Sequence, residues 1–257
     1  MGEPAQPPPS NPALRGRYLL SPNVVLMPLD DGTAQLVDLD GAFFGLSETA
    51  TQMLRGVLDL DEQDAVQRIA AEYNADHNRI YTDLTALLGT LRAKGLIRRC
   101  NDHLPAIRLR TAIALAISYP ILRIVAPIRN QRLKALVLLA TARLCFALAG
   151  WARTVEAWRK CLIQPHAPAA NSERERLIGT IDSATSRSAS ELPSIACKER
   201  ALCCWFMLHS AGVRARLVMG VRFPPLSGHC WCEVDERILT DSPEHCKAYA
   251  PVICYDG

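Results

Sequence analysis

Cys197, His229 and Asp241 are, in chain order, a nucleophile, a base and a carboxylate, and the local pattern gives each a defined place on an element. From Cys197 a helix-period run places Leu202, Trp205, Phe206, Leu208 and His209 at spacings of three and four and stops at Gly212. Cys197 therefore belongs to the first helical turn, where unpaired N–H groups and the positive end of the macrodipole favour an anion and ease the loss of the thiol proton. A thiolate is the nucleophile of covalent catalysis. After the stop, ARLVMGV (215–221) reads as a buried strand, and FPPLSG as a loop in which two prolines forbid regular structure. HCWCEV (229–234) and RILT (237–240) flank a polar turn at Asp235 and Glu236, the pattern of a hairpin that Asp241 closes. A Cys on a helix N-terminus, a His opening a strand and an Asp ending the next supply the nucleophile, base and orienter of a triad. Register sets a condition on this reading. With a two-residue turn Asp241 pairs with Cys230 and points away from His229, so the triad requires a three-residue loop or a bulge in this hairpin.

Other readings of the same residues are blander. Cys145, Cys161, Cys203 and Cys204 lie in apolar helical patterns and behave as small hydrophobes. Cys230, Cys232, His245, Cys246 and Cys254 could ligate zinc, but no paired CxxC spacing occurs, and Cys230 and Cys232 share a strand face that packs inward; no metal is expected. His209, among apolar helix neighbours, is a core or surface histidine, and His77, His103 and His166 have no partners in sequence.

At Cys197, Gly212, VMGV, GHCWCE and DSPE the stretch from Ser194 to Glu244 resembles the transglutaminase-like cysteine peptidases, specifically the B proteins that remove leader peptides from lasso-peptide precursors. The resemblance implies Cys197 as nucleophile, His229 as general base then acid, and Asp241 as the residue orienting the imidazole. Gly228, Cys230 and Cys232 stand where the family usually has Ala, Ala and Val, a departure that changes packing and redox sensitivity and leaves the three catalytic types in place.

The chain has 257 residues, room for one large or two small domains, and a net charge of +3 that makes no strong case for a nucleic-acid partner. Ten cysteines without regular spacing, and no secretory signal pattern at the start, point to reduced thiols in the cytoplasm. Residues 1–17 form a tail too rich in proline to pack. The segment 101–192 reads as the helical front of a C-terminal domain spanning 101–257, whose catalytic core is 193–257. Within it Thr111 to Leu122 is the longest uncharged apolar run, too short for a membrane span, and Pro120 and Pro127 are expected to break the first helix. The apolar character of 108–152 fits buried helices or a pair resting peripherally on a membrane surface. NSERERLIGTIDSATSRSA reads as an exposed charged helix followed by a Ser-rich loop.

In front of this lies a block spanning 18–100. NVVLMPL and TAQLVDL are strand-like runs joined across Asp30, Asp31 and Gly32, and AFFGL follows as a third strand. Ser47 caps a helix to about Leu58, a second begins near Asp61 and runs to Tyr73, and a third runs from about Arg79 to Lys94 and stops at Gly95. Its apolar set Ile80, Leu84, Leu87, Leu88 and Leu91 has core spacing. Through the three-strand opening, DLDGAFFGLSETA and the helix ending AKGLI, this block resembles the PqqD-like winged helix-turn-helix known as the RiPP precursor recognition element (RiPPs are ribosomally made, modified peptides). The family binds a leader peptide as an added strand on the third strand's edge, against the third helix, which implies a surface at Leu39, Asp40, Ala42, Phe43, Phe44, Tyr81, Leu84 and Leu88. The third helix has Asp83 and no Lys/Arg stripe, which argues against DNA.

The sequence thus predicts an α+β protein: a winged helix-turn-helix of three strands and three helices, then a transglutaminase- or papain-like α+β peptidase domain. The two resemblances together imply a leader peptidase that grips the leader, cuts the leader–core amide and passes the core to an ATP-using, asparagine-synthetase-like cyclase. No GxxxxGK[ST] loop is present, so no cofactor is expected on this chain and any ATP requirement falls to the partner. Two rivals remain: a scaffold that presents precursor without cutting it, and an acyl or amide transferase using the same three residues.

Overall fold

The computed structural model describes residues 18–39, 41–100, 109–162, 171–223 and 227–256. They fall into two compact units, one built on the elements up to Arg99 and the other on those from Leu109 onward.

The first unit opens with β1 (Tyr18–Leu20), followed by β2 (Val24–Pro28), β3 (Ala34–Asp38) and β4 (Ala42–Leu46), which pair in order as an antiparallel meander. Three helices follow: α1 (Glu48–Asp59), α2 (Glu62–Tyr73) and α3 (His77–Ala93). Each starts at a side-chain cap, because Ser47, Asp61 and Asp76 accept the backbone N–H groups that the first turn leaves unpaired. Gly95, at φ 72°, ends α3, with the Leu96 N–H bonded back to the Leu91 carbonyl. The chain then returns as β5 (Ile97–Arg99), antiparallel to β1. This two-stranded ribbon adds to the three strands and three helices expected. Leu36, Leu54, Ile69, Leu84, Leu88 and Leu96 join strands and helices in one core.

The second unit begins with α4 (Leu109–Val125), α5 (Gln131–Ala149), α6 (Trp151–Lys160) and α7 (Asn171–Glu191). Two expectations are corrected here. Helix α4 runs through Pro120 instead of breaking there; the carbonyl that the proline leaves without its N–H partner belongs to Ala116, an exposed residue whose carbonyl water can satisfy. The Ser-rich stretch is no loop but the continuation of α7, where Ser188 and Thr185 are buried and hydrogen-bond outside their own backbone turn. Next come α8 (Cys197–Ser210), β6 (Arg216–Arg222), β7 (Ser227–Val234), β8 (Arg237–Leu239), the short α9 (Pro243–Cys246) and β9 (Ala250–Asp256). The four strands form an antiparallel sheet in the order β8-β7-β6-β9.

Helix α8 is enclosed on all sides: Ala201 to Leu208 have no measurable exposure. It packs on α5 and α7 on one side and on β6 and β7 on the other. Trp158 meets Phe206 edge-on at 5.2 Å, and Phe146 stacks on Trp151 at 5.4 Å. Burial of this order fixes the helix rigidly, so the residue at its first position is held in place by the whole core. Among the described residues no helix is long and apolar enough to cross a membrane.

Candidate active site

Cys197 is the first residue of α8, as the helical pattern predicts. Two local features aim this helix start. Glu199, buried in the first turn, accepts the Ala196 N–H at 2.9 Å and places a carboxylate at the positive end of the helix. Upstream, Ser194 sits at φ 62° and its carbonyl accepts a hydrogen bond from the Arg143 guanidinium of α5. The Cys230 thiol, the Cys230 backbone N–H and His229 all act on the Cys197 sulfur and hold its pKa down to about 4, against the opposing pull of burial.

His229 lies on β7, opposite Gly220 of β6. A Cβ at Gly220 would sit 2.7 Å from the Trp231 ring and 3.0 Å from Tyr249 Cβ, so only glycine admits the aromatic wall that surrounds the imidazole. His229 is 6% exposed, with Trp231 stacked at 5.9 Å and Tyr249 at 5.0 Å. Its Nε2 lies 2.9 Å from Asp241 Oδ2, off the axis of a well-aligned hydrogen bond, which leaves Nδ1 for the sulfur. Poor alignment of this kind is common in active sites before substrate arrives.

Asp241 reaches the imidazole by a route the sequence reading did not foresee. The hairpin has no bulge or third loop residue: Cys232 pairs with Leu239, Glu233 with Ile238 and Val234 with Arg237, around a two-residue turn at Asp235 (φ 48°) and Glu236 (φ 65°). The redirection occurs after the strand, at Thr240, whose φ of 69° is left-handed. Its N–H bonds to Asp182 Oδ1 on α7 at 2.9 Å, which holds the bend and takes the chain out of the ladder before Asp241 can face Cys230. Burial raises the Asp241 pKa, while the Ser242 N–H, the His245 bond and the nearby His229 and His245 charges lower it by more, so the carboxylate stays ionised below the ordinary range.

Two further groups share Asp241 Oδ2: Arg200 Nη2 at 3.3 Å and His245 Nδ1 at 3.2 Å. Sequence reasoning missed Arg200 as a partner, although it stands three residues after Cys197 on the same helix face, because a charged helix residue reads by default as solvated. His245, four residues past Asp241, was weighed only as a zinc ligand. Cys230 and Cys232 are buried as expected; His209, left open between core and surface, lies in the core, where its Nε2 bonds the Ala215 backbone.

In the first unit, β4 is an edge strand, so its outer N–H and C=O groups face no other strand among the described residues. Phe43 and Phe44 are half-buried and Ala42 is exposed on it; Leu39, just past β3, is buried, and Asp40 lies outside the described residues. Tyr81 is 51% exposed on α3. Leu84 and Leu88 are corrected: both are turned into the core, at 1% and 4% exposure, and present nothing to a peptide. Lys94, at the far end of α3, holds its ammonium 5.0 Å from the Phe44 ring centre. Tyr81 is therefore about 20 Å from that end along the helix, and one extended peptide touching both needs about six residues.

Residues 23–97 match the family model described as coenzyme PQQ synthesis protein D, PqqD. Residues 135–254, from α5 into β9, match the transglutaminase-like superfamily. The chain joins a PqqD-like unit to a transglutaminase-like one. No curated protein and no solved structure matches it. The triad-type residues all lie within the transglutaminase-like match, on the helix start, strand and post-strand turn just described.

Proposed function

We propose that this protein is a leader peptidase of RiPP biosynthesis, of the lasso-peptide kind, in which the PqqD-like unit holds the leader and Cys197 cuts the amide between leader and core. The observation that carries the reading is the convergence of a low-pKa Cys197, His229 and Asp241 from three separate elements of the transglutaminase-like unit. The leader would add as a strand to the free edge of β4, its backbone supplying hydrogen bonds and Phe43 the neighbouring apolar contact. Gripping the leader raises the local concentration of the scissile bond to the millimolar range, on the order of 1 mM, so the catalytic groove needs little selectivity of its own.

In the proposed reaction the Cys197 thiolate attacks the scissile carbonyl. His229, bonded to the sulfur, is placed to hold the thiol proton and to return it to the leaving amine of the core peptide. Asp241 fixes the ring and balances its charge, and is itself held by Ser242, Arg200 and His245. The Cys197 backbone N–H at the helix start is one donor for the oxyanion. Water, activated by His229, then releases the leader from the sulfur. The freed core N-terminus would pass to an ATP-using, asparagine-synthetase-like cyclase, with no cofactor bound to this chain.

Mass spectrometry of a precursor peptide incubated with this protein and a cyclase tests the reading. The expected outcome is cleavage at one leader–core bond with addition of water, abolished in Cys197→Ala. Mature product from the mutant would establish the non-cutting scaffold instead, and a new adduct on an acceptor amine would establish the transferase.

A further inference from the structure

Helix α8 and strand β7 meet through two pairs of thiols. Cys197 and Cys204 are seven residues apart, two turns and about 10 Å along one face of the helix. Cys230 and Cys232 are two apart on one face of the strand, about 7 Å. Where α8 packs on β7, the Cys197 sulfur interacts with the thiol and the backbone N–H of Cys230, and the Cys204 and Cys232 thiols interact with each other. Cys203, one residue from Cys204, points elsewhere, toward the Ala135 carbonyl and the Met207 sulfur. The pairing thus comes from the crossing of two faces and is no accident of cysteine abundance. All the described cysteines are free.

The two pairs differ in access. Cys204 and Cys232 have no measurable exposure, so no solute reaches either sulfur. Cys197 is partly exposed, as a nucleophile must be, while Cys230 behind it is 2% exposed. A small oxidant can touch the first and not the second. The sulfur that interacts with Cys230 is that of Cys197, in front of it.

We propose that Cys230 is a resolving thiol for Cys197: a peroxide that oxidises the Cys197 sulfur is followed by a Cys197–Cys230 disulfide that masks the nucleophile reversibly. In the first step the Cys197 thiolate attacks one peroxide oxygen, the O–O bond breaks, and the sulfur is oxidised to sulfenic acid while hydroxide leaves and is protonated to water. In the second, the Cys230 thiol attacks the sulfenic sulfur, its proton leaves with the departing hydroxyl as a second water, and the S–S bond forms. Two thiols and one peroxide give one disulfide and two waters. A free dithiol returns both sulfurs to thiols by exchange, and the sulfenic acid is removed before a second peroxide can carry it to the irreversible sulfinic state.

The proposal rests on the reading of Cys197 as a reactive nucleophile, and its test reads the sulfur directly. The full-length protein is treated with hydrogen peroxide, capped with an alkylating agent, digested and mapped by mass spectrometry, with cleavage activity followed alongside before and after dithiothreitol. The expected result is one linked peptide pair joining Cys197 to Cys230, about 2 Da below the two free thiols, together with loss of activity and recovery of most of it on reduction. In Cys230→Ala, the same dose should leave Cys197 heavier by about 32 or 48 Da and unrecoverable by dithiothreitol, each sample being compared with its own untreated control. Cys232→Ala should keep the Cys197–Cys230 link. Peroxide-treated wild-type protein in which Cys197 is sulfinic, or linked elsewhere, overturns the proposal even if the peptidase reading stands. A Cys197–Cys230 link in a protein whose Cys197→Ala variant still delivers mature product upholds the thiol pair and sinks the peptidase reading.

Discussion

The two units arrive at their candidate sites by opposite means. In the PqqD-like unit the site is what the fold leaves over: β4 is the last strand of a meander, and its edge is open because no later strand among those described pairs with it. Its elements are local, each started by its own cap and stopped by its own breaker, and the side chains that matter most to the unit, Leu84 and Leu88 among them, face inward. In the transglutaminase-like unit the site is what the fold brings together. Cys197 stands on a helix aimed by Arg143 and Glu199, His229 on a strand whose neighbour must be glycine, and Asp241 on a bend pinned by Asp182. An edge depends less on any single side chain, because main-chain groups supply much of the affinity and neighbouring side chains the selectivity. A convergent triad does not, since each member's position depends on a contact far away in sequence.

The sharpest test of this contrast is the bend. Thr240→Pro fixes φ near −65° and removes the N–H that Asp182 holds, so Asp241 should lose its place and kcat/KM for leader cleavage should fall roughly 10²–10⁴-fold, as when a triad carboxylate is lost. Thr240→Gly, which accepts the left-handed conformation, should retain most of the activity; a comparable loss in both variants would mean the bend does not position Asp241.

Core and edge should separate next in the first unit. Leu84→Ala should cost about 2–5 kcal/mol of that unit's stability by denaturant titration, from transfer and cavity together. Phe43→Glu on β4 should leave stability within about 0.5 kcal/mol while weakening binding of a leader peptide, measured by fluorescence anisotropy. Equal destabilisation by both would erase the distinction between core and edge.

Gly220→Ala should destabilise the second unit by about 1–3 kcal/mol and disturb Trp231 fluorescence, because the new methyl meets the indole ring. An unchanged melting temperature would show that the aromatic wall around His229 yields easily.

The smallest expected effect is a flat line. With its pKa held down to about 4, Cys197 should be alkylated by iodoacetamide at nearly the same rate at pH 6 and pH 8, whereas an ordinary thiol slows roughly 100-fold over that range. The linkage has a definite sign. The folded pKa lies below the unfolded one, so the stability it contributes is complete above the unfolded value and is lost as pH falls toward about 4, the unfolded thiol taking up its proton first. An inflection near pH 8 would contradict the contacts assigned to the sulfur.

What the sequence determined by itself was whatever short-range rules govern. Ser47, Asp61 and Asp76 announce helix starts by capping chemistry, Gly95 and Gly212 announce stops, and the apolar run of β6 announces a buried strand. Cys197 at a helix N-terminus and His229 on a strand follow from those rules, and their order with Asp241 was enough to suggest the chemistry. Helix α4 shows the rules' limit: Pro120 is a breaker by local logic, yet the helix continues because its orphaned carbonyl lies at an exposed residue. Tertiary structure alone decided how Asp241 reaches His229. The hairpin obeys its turn residues and points Asp241 the wrong way, and only the Asp182 side chain, 58 residues earlier, holds the left-handed bend at Thr240 that corrects it. The same holds for Arg200 and His245 on the carboxylate and for the thiol behind Cys197. Each depends on where a helix face crosses a strand or a loop returns to it, and no pattern of spacing along one segment encodes the crossing of two.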